Sequence, residues 1–270
     1  MVDTRGRFVW YELMTTDVDA ARDFYTDVVG WNAQNALPPG TPYTLFLAGA
    51  NSVGGLMQLQ EESNPGGGLA RWLGYVEVGD IDAATDQVAA LGGIVYLPPT
   101  SIGDISRFAV VADEQKALFA LISWLKPRAE SPVTPRTNGR IGWHELFADD
   151  CERAAKFYGD LFGWRKSIAN SGELGTYQLI TSRGQTIGGI LTKPPALPAP
   201  FWLHYFTVSD IDAAASRVTA GGGQIINGPA QAPDGSWIIQ CTDPQKATFA
   251  LIGKRSYAAV GFLERLYGQK

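Results

Sequence analysis

The chain has 270 residues, of which 45% are apolar and 18% charged, a balance typical of globular domains rather than disordered segments. Its 22 Lys and Arg against 27 Asp and Glu give a net charge of −5 without a basic stripe, so we expect no nucleic-acid partner. No segment reaches the roughly 18 apolar residues of a membrane span, and the first 14 residues lack a signal pattern. The two cysteines lie on separate predicted elements, which favours a reducing compartment. We therefore expect no membrane partner and a cytoplasmic location.

The first predicted element is a strand over Arg7–Thr15, followed by a helix that Asp17 caps and Gly30 ends. The apolar stripe of this helix consists of Val18, Ala21, Tyr25 and Val28. Strands separated by Gly, Pro and Asn turns come next. A second strand, Trp72–Val78, then precedes a helix capped by Asp80. The first half thus contains the same unit twice: a strand, a helix and about three further strands.

A tandem repeat relates this half to the rest of the chain. Residues 8–17, FVWYELMTTD, match residues 141–150, IGWHELFADD, at an offset of 133 positions. Residues 115–122, QKALFALI, match residues 245–252, QKATFALI. Further matching pairs are Phe24-Tyr25 with Phe157-Tyr158, Gly30-Trp31 with Gly163-Trp164, Gly54-Gly55 with Gly188-Gly189, and Trp72 with Trp202. The chain is therefore predicted to be a duplication of one domain.

The second half repeats both helices. Their apolar stripes are Cys151, Ala154, Tyr158 and Leu161, and then Ile211, Ala214 and Val218. The predicted fold is α+β, with four βαβββ modules arranged as two tandem domains with concave sheets. We place the first domain at 1–125, a proline-containing linker at 126–140 and the second domain at 141–253. A C-terminal tail follows at 254–270, where the apolar spacing within 256–267 predicts a short helix.

Strand alternation predicts which side chains point away from the helices. Because each amphipathic helix covers one face of its sheet, the opposite faces should form open troughs. The side chains expected in the troughs are Trp10, Glu12, Met14, Tyr75 and Glu77 in the first half, and Trp143, Glu145, Phe147, Tyr205 and Thr207 in the second. Such troughs suit a small, partly apolar ligand with a donor or cationic group. We predict that Trp10, Tyr75, Glu77, Trp143 and Tyr205 bind it.

Three motifs carry a family resemblance. They are TDVDAARDFY at residues 16–25 with Gly30-Trp31 after it, VSDIDAA at 208–214, and TDPQKATFAL at 242–251. These motifs resemble the vicinal oxygen chelate superfamily, which includes glyoxalase I, bleomycin-resistance proteins and extradiol dioxygenases. The resemblance covers nearly the whole chain and implies the glyoxalase-like arrangement of βαβββ modules. It says less about the reaction, because this fold hosts enzymes and binding proteins alike.

The resemblance also bears on metal binding. Metal-dependent members hold a divalent ion with side chains from three strands. These positions fall on Trp10, Leu73 and Ala120 in the first half, and on Trp143, Leu203 and Ala250 in the second. Indole, isobutyl and methyl groups cannot donate a lone pair to such an ion. We therefore predict no metal site and no other cofactor, with a divalent metal at a non-standard place as the alternative.

His144 and His204 are the only histidines, and a metal pair with Glu145 or Cys241 is conceivable. The predicted register turns both histidines towards the helix face, which favours a structural role. A slip of one residue would reverse their facing.

Glu12 and Glu145 are the candidate catalytic residues. A carboxylate beside an indole in a semi-enclosed trough is expected to have a raised pKa and could act as a general base. The alternative is an internal hydrogen bond or ion pair. Glu77 has no carboxylate equivalent in the second half, which also fits a solvated edge residue. Trp72 and Trp202 suit either stacking on a ligand or packing in the core.

Three functions are compatible with this pattern. The first is a metal-independent protein that binds or sequesters a small molecule, as the resemblance to resistance proteins implies. The second is an atypical lyase or dioxygenase of the same superfamily, which would use a divalent metal or a glutamate as general acid and base. The third is a regulatory protein that works through protein contacts. An internal duplication can replace a dimer, so we expect a monomer or a homodimer.

Overall fold

The computed structural model describes residues 4–36, 42–59, 68–126, 137–172 and 175–255. The elements of the first half are β1 (Phe8–Thr15), α1 (Val18–Val29), β2 (Asn32–Asn35), β3 (Tyr43–Ala48), β4 (Asn51–Gln58), β5 (Arg71–Glu77), α2 (Ile81–Ala90), β6 (Ile94–Ile102), β7 (Ser106–Ala112) and β8 (Leu118–Trp124). Those of the second half are β9 (Ile141–Ala148), α3 (Cys151–Phe162), β10 (Arg165–Gly172), β11 (Gly175–Ser182), β12 (Gln185–Thr192), β13 (Phe201–Asp210), α4 (Ile211–Ala220), β14 (Gln224–Gln231), β15 (Trp237–Thr242) and β16 (Thr248–Lys254). The βαβββ order occurs four times, as predicted.

Each half builds one eight-stranded sheet from its two modules. The strand order is β2-β3-β4-β1-β5-β8-β7-β6 in the first sheet and β10-β11-β12-β9-β13-β16-β15-β14 in the second. The modules meet at β1 and β5, which pair antiparallel, and at their equivalents β9 and β13. The α+β class and the pairing of the four modules into two tandem domains are thus confirmed.

The helix ends follow their capping residues. The Asp17 carboxylate accepts a hydrogen bond from the backbone N–H of Ala20 at 3.0 Å, and Gly30 ends α1 in the left-handed conformation at φ 81°. Asp150 and Gly163 do the same for α3. The caps therefore make the first helix of each half begin and end at equivalent positions.

The helix faces of the two sheets pack against each other. One buried core joins α1 and the strands around it to α4, β15 and β16 of the other half. The second core joins α2, β7 and β8 to α3 and the strands β9, β11, β12 and β13. The sequence left open how the halves pair, and the structure answers that question. The helices lie between the sheets, so the opposite faces, on which the sequence predicts the troughs, point away from this interface and from each other.

Hydrogen bonds across this interface come in equivalent pairs. The Trp31 indole donates to the Gly139 carbonyl at 2.7 Å, and the Trp164 indole donates to the Gly6 carbonyl at 2.6 Å. A further pair joins helix hydroxyls to buried carboxylates, Tyr25 to Asp243 and Tyr158 to Asp113, each at 3.1 Å. The interface is therefore close to two-fold symmetric.

The predicted domain boundaries stay a prediction. Most of the predicted linker, residues 127–136, and the predicted helical tail within 256–267 lie outside the described residues. At the end of the linker, Gly139 and Arg140 exchange backbone hydrogen bonds with Thr207. Among the helices that the structure describes, none is both long enough and apolar enough to cross a bilayer.

Candidate functional site

The first trough has a hydrogen-bonded network at its floor. Strand alternation on β1 points Tyr11 and Leu13 into the helix-side core and Glu12 to the opposite face, as predicted. The two carboxylate oxygens of Glu12 accept hydrogen bonds from the hydroxyls of Tyr43 at 2.7 Å and Tyr75 at 2.6 Å. One polar chain thereby links strands β3, β1 and β5.

The indole of Trp10 extends this network. Its Nε1 donates to the Tyr43 hydroxyl at 3.2 Å. Trp10 and Tyr75 are direct cross-strand partners on β1 and β5, so they lie on the same face. We call Trp10, Tyr43, Glu12 and Tyr75 the first floor network.

The second half contains the same arrangement. The carboxylate of Glu145 accepts hydrogen bonds from the hydroxyls of Tyr177 at 2.7 Å and Tyr205 at 2.5 Å. The Trp143 indole donates to the Tyr177 hydroxyl at 3.3 Å. We call Trp143, Tyr177, Glu145 and Tyr205 the second floor network. Two copies with the same atoms in the same roles indicate that this geometry belongs to the fold rather than to one accidental contact.

Tyr43 and Tyr177 are members of these networks that sequence reasoning missed. Each ring lies over a glycine of the neighbouring strand. A Cβ on Gly55 would come within 1.8 Å of the Tyr43 hydroxyl oxygen, and a Cβ on Gly189 within 2.3 Å of Tyr177. The signal that could have found them is the repeated Gly-Gly pair, because its second glycine leaves room for an aromatic side chain to reach the glutamate.

Burial sets the protonation of the first network. Burial raises the pKa of the Glu12 carboxyl, and the hydrogen bonds from Tyr75 and Tyr43 partly offset that effect. Burial, followed by the nearby Glu12 charge, raises the pKa of Tyr75 well above its usual value. The phenols therefore stay neutral donors. A carboxylate has about four lone-pair positions, so Glu12 keeps acceptor capacity for a ligand hydroxyl or amine.

The walls of the troughs are apolar. Along the first, Leu73, Ala120 and Ile122 are buried. Half-buried neighbours complete this wall: Met14, Phe108, Val110, Leu118 and Trp124. The second wall includes Phe147, Leu191, Phe201, Ile238 and Ile252. In the second trough, the Gln240 amide also donates to the Tyr205 hydroxyl at 3.1 Å, so this trough is the more polar at that point.

Glu77 lies apart from Glu12. It is the last residue of β5, and its carboxylate accepts a hydrogen bond from the Thr4 hydroxyl. Its backbone pairs with Gly6 and Arg7. These contacts tie Glu77 to the segment before β1, and its place among the ligand-binding residues stays a prediction.

The histidines face the helix-side interface, as the predicted strand register indicated. His144 Nδ1 lies 2.8 Å from the Ile187 carbonyl, which can only accept, so this nitrogen carries the proton. His144 Nε2 then accepts from the Tyr11 hydroxyl at 2.6 Å. His204 is also buried, and neither ring nitrogen has a hydrogen-bond partner in the described part of the chain.

Trp72 and Trp202 belong to the core. Both are buried on the helix side, where their indoles donate to the hydroxyls of Tyr25 and Tyr158 at 2.9 Å. Of the two roles that the sequence allowed for them, the structure therefore places them in packing.

The residues at the family's metal positions do not fit a metal ion. Cross-strand pairing places Tyr75 between Trp10 and Ala120, while Leu73 pairs with Glu12. Leu73 and Ala120 are buried and carry no donor atom, and the one carboxylate paired with them, that of Glu12, supplies too few ligands for a divalent ion. Within the described ranges, no three His, Cys, Asp or Glu side chains come together in a group that could hold a metal.

Comparison with known proteins agrees with the fold. The family model for the glyoxalase/bleomycin resistance protein/dioxygenase superfamily matches residues 7–121 and 140–251. A putative glyoxylase, CFP32, of Mycobacterium tuberculosis is 31% identical over 246 residues, which cover 90% of this chain and 93% of that protein. The anthracycline biosynthesis protein DnrV of Streptomyces peucetius is 31% identical over 263 residues, covering 93% and 94%.

Solved structures share the architecture at low identity. The Mn(II)-bound glyoxalase from Novosphingobium aromaticivorans has a TM-score of 0.65 and 18% identity, covering 94% of this chain and 83% of that one. An extradiol ring-cleaving dioxygenase from B. fuscum has a TM-score of 0.65 and 17% identity, covering 95% and 74%. With the family model matching both halves, the chain belongs to the glyoxalase/bleomycin resistance protein/dioxygenase superfamily.

Proposed function

We propose that this protein binds small, largely aromatic molecules in its two troughs without a metal ion. The observation that supports this most strongly is the floor network itself. A Trp–Tyr–Glu–Tyr chain of hydrogen bonds occupies the part of each trough to which the superfamily's metal positions map. This network supplies a carboxylate acceptor and two neutral phenols, which suits recognition of a hydroxyl or an amine.

The walls favour an aromatic ligand body. Trp124 and Phe108 in the first trough and Phe201 in the second offer ring faces and edges to a molecule on the floor. Aromatic pairs contribute about 0.5–1.5 kcal/mol beyond the area that they bury. A planar ligand with a hydroxyl at one edge would use both the wall and the glutamate.

The names of the relatives point in the same direction. Two Streptomyces relatives, DauV and DnrV, are named anthracycline biosynthesis proteins. Anthracyclines are fused-ring aromatic molecules that carry hydroxyl groups, which is the ligand chemistry that these troughs suit. We therefore propose polycyclic, hydroxylated aromatics as the ligand class, bound for sequestration or handling rather than cleaved.

Metal independence is part of the proposal. A structural neighbour is a Mn(II)-bound glyoxalase. In this chain, the positions to which the resemblance maps the superfamily's metal ligands carry an indole, an isobutyl group and a methyl group in each half. A divalent ion needs oxygen, nitrogen or sulfur donors, and one carboxylate held by two phenols supplies too few.

An acid–base enzyme is the second candidate, and the raised pKa of Glu12 favours it. A carboxyl with a raised pKa, beside phenols that can hold a substrate oxygen, can move a proton to or from a bound substrate. In that case Glu12→Gln would abolish turnover, whereas in a binding protein it alters affinity alone.

The test uses N-phenyl-1-naphthylamine, a neutral fused-ring probe with one N–H donor, titrated calorimetrically in the presence of EDTA. We expect saturable binding to up to two sites per chain. No binding would contradict the proposed function. Conversion of an α-oxoaldehyde–thiol adduct by the same sample would support the enzyme instead.

A further inference from the structure

Arg71 is a cation in the first trough. Cross-strand pairing on β1 and β5 matches Glu12 with Leu73 and Met14 with Arg71. Cross-strand partners share a face, and residues two apart along a strand return to the same face. Arg71 therefore lies on the trough side with Glu12 and Met14, one pleat repeat, or about 7 Å, from the level of Glu12.

The hydrogen-bonding capacity of this guanidinium is only partly used. Arg71 Nε donates to the Leu69 carbonyl at 3.2 Å, which holds one edge of the group. Nη2 is buried and has no hydrogen-bond partner in the described part of the chain. Burial lowers the pKa of Arg71, and among the described residues no carboxylate counters that effect. A buried donor without a partner costs about 1–3 kcal/mol, so a ligand that supplies an acceptor gains from pairing with it.

Arg7, Arg140 and Arg217 also have a buried guanidinium nitrogen without a hydrogen-bond partner among the described residues. Four other arginines are held by carboxylates, in the pairs Arg22–Asp19, Arg107–Asp82, Arg153–Glu114 and Arg255–Asp212. Arg71 differs from these in facing an apolar wall instead of an acidic side chain.

The second trough has no such cation at the equivalent position. Phe201, 130 positions after Arg71, occupies it and stacks on Phe147 with ring centroids 5.0 Å apart and planes 4° from parallel. Phe147 in turn replaces Met14 of the first trough. The floor networks are the same in both troughs, but the neighbouring positions along β5 and β13 carry a guanidinium in one and an aromatic stack in the other.

We propose that Arg71 is the anion-recognition residue of the first trough, which therefore takes acidic aromatic molecules, while the second trough takes uncharged ones. This inference rests on the proposed function, because it assigns the ligand class of each trough. The aromatic body would lie over Met14, Leu73 and Leu118, with a carboxylate or another anionic oxygen against the Arg71 guanidinium. A guanidinium fork suits such an oxygen, and the partly buried surroundings strengthen the pairing.

The test compares two probes with the same ring system. The first is 1-anilinonaphthalene-8-sulfonate, which is anionic, and the second is N-phenyl-1-naphthylamine, which lacks the sulfonate. Calorimetry on the full chain should show a higher affinity for the anionic probe at one class of site. Arg71→Met should weaken anionic-probe binding at that class about tenfold, the size expected for one charge-assisted hydrogen bond. Binding of the neutral probe should change less than twofold.

Three further variants sharpen the test. Arg71→Lys keeps the charge but loses the fork, so its affinity for the anionic probe should be intermediate. Phe201→Arg should create an anion preference in the second trough. Arg22→Met, at an exposed and carboxylate-paired position on α1, is the matched control and should leave both affinities unchanged. Retained binding of the neutral probe shows that each variant is folded.

The outcomes separate the two proposals. If the wild type binds both probes equally and Arg71→Met alters neither affinity, the role of Arg71 is contradicted while the binding function stands. If the neutral probe does not bind at all, the proposed function fails, and this inference fails with it.

Discussion

The hydroxyl of Tyr11 lies 2.6 Å from Nε2 of His144, and these two residues occupy the same position in the two repeats, 133 positions apart. At this point of the interface, a residue of the first domain therefore contacts the residue at the equivalent position of the second domain. A phenol on one side donates to an imidazole on the other, and the His144 ring also stacks on Phe8 at 4.3 Å. The two copies have diverged at this position, with the Tyr11 phenol as the donor and the His144 imidazole as the acceptor.

Tyr11→Phe should destabilise the chain by about 1–3 kcal/mol, because it leaves the buried Nε2 acceptor of His144 without a partner. Denaturant unfolding would measure the change. The matched control is Tyr96→Phe, since Tyr96 is 39% exposed, and it should change the free energy of unfolding by less than about 0.5 kcal/mol. Equal effects of the two substitutions would contradict the role assigned to the Tyr11 hydroxyl.

The histidine pair should make stability depend on pH. Burial lowers the pKa of His144 to about 4, and burial together with His144 lowers that of His204 well below its usual value. Between about pH 6.5 and 4, the unfolded chain therefore binds protons that the folded chain excludes. The free energy of unfolding is therefore unaffected by the histidines above about pH 6.5, and it decreases as the pH falls from about 6.5 to 4.

His204→Leu tests this pH dependence. The variant removes one buried imidazole at similar volume, so relative to the wild type it should gain stability on acidification from pH 6.5. The gain should approach about 1.4 kcal/mol per pH unit within the window. Unfolding curves at several pH values give the slope, and parallel pH profiles of variant and wild type would show that His204 does not titrate on unfolding.

The buried carboxylate of Asp113 should act in the opposite direction. Burial raises its pKa to about 6, despite hydrogen bonds from two backbone amides and from Tyr158. The folded chain therefore binds a proton more tightly than the unfolded chain, and this contribution to stability is lost as the pH rises from about 4 to 6. Asp113→Asn should remove that loss. The histidines then act alone, so the free energy of unfolding should rise more from pH 5 to pH 7 in the variant than in the wild type. A smaller rise in the variant would contradict this sign.

Gly55→Ala should break the first floor network without removing any of its polar atoms. The new methyl group would overlap the Tyr43 ring, so Tyr43 must leave Glu12 or the strands must separate. We expect a loss of about 1–3 kcal/mol in the free energy of unfolding. In a Tyr43→Ala background the overlap is gone, and Gly55→Ala should then be nearly neutral. A double-mutant cycle measures the difference, and additive effects would contradict the packing argument.

Glu12→Gln and Glu145→Gln should each weaken probe binding in one trough only. A glutamine amide can accept one tyrosine hydroxyl but opposes the other with a donor, which disturbs the floor and removes the charge. We expect about a tenfold loss of affinity for N-phenyl-1-naphthylamine in the altered trough, the size of one lost hydrogen bond to a charged group. Two-site calorimetry of each variant separates the troughs, and the unaltered trough of the same molecule is the internal control.

The sequence predicted most of the fold because its signals were local and repeated. The aspartate caps, the glycine stops and the apolar stripes each recur at the same spacing, and the structure has helices at all four places. Alternation on β1 also placed Glu12 correctly on the face away from the helices. These inferences require only the period of a strand or a helix.

The parts of the site that were missed depend on long-range pairing. Tyr43 reaches Glu12 because β3 pairs with β4 and β4 pairs with β1, a path that strand alternation alone does not reveal. Arg71 sits at the start of β5, where the predicted strand began one residue later, so its facing was not considered. The packing of the helix faces between the sheets likewise depends on shape complementarity between two halves that look equally amphipathic in sequence.

The most direct test of the central claim asks whether the troughs need a metal. The untagged protein is purified without chelator, dialysed against EDTA, checked by elemental analysis, and titrated with N-phenyl-1-naphthylamine before and after addition of Mn²⁺, Zn²⁺ or Fe²⁺. We predict the same affinity and the same number of sites in every sample, and a weaker affinity, in one trough each, only in Glu12→Gln and Glu145→Gln. Binding that appears only after one of these ions is restored would contradict the claim that the floor networks have taken the place of the metal.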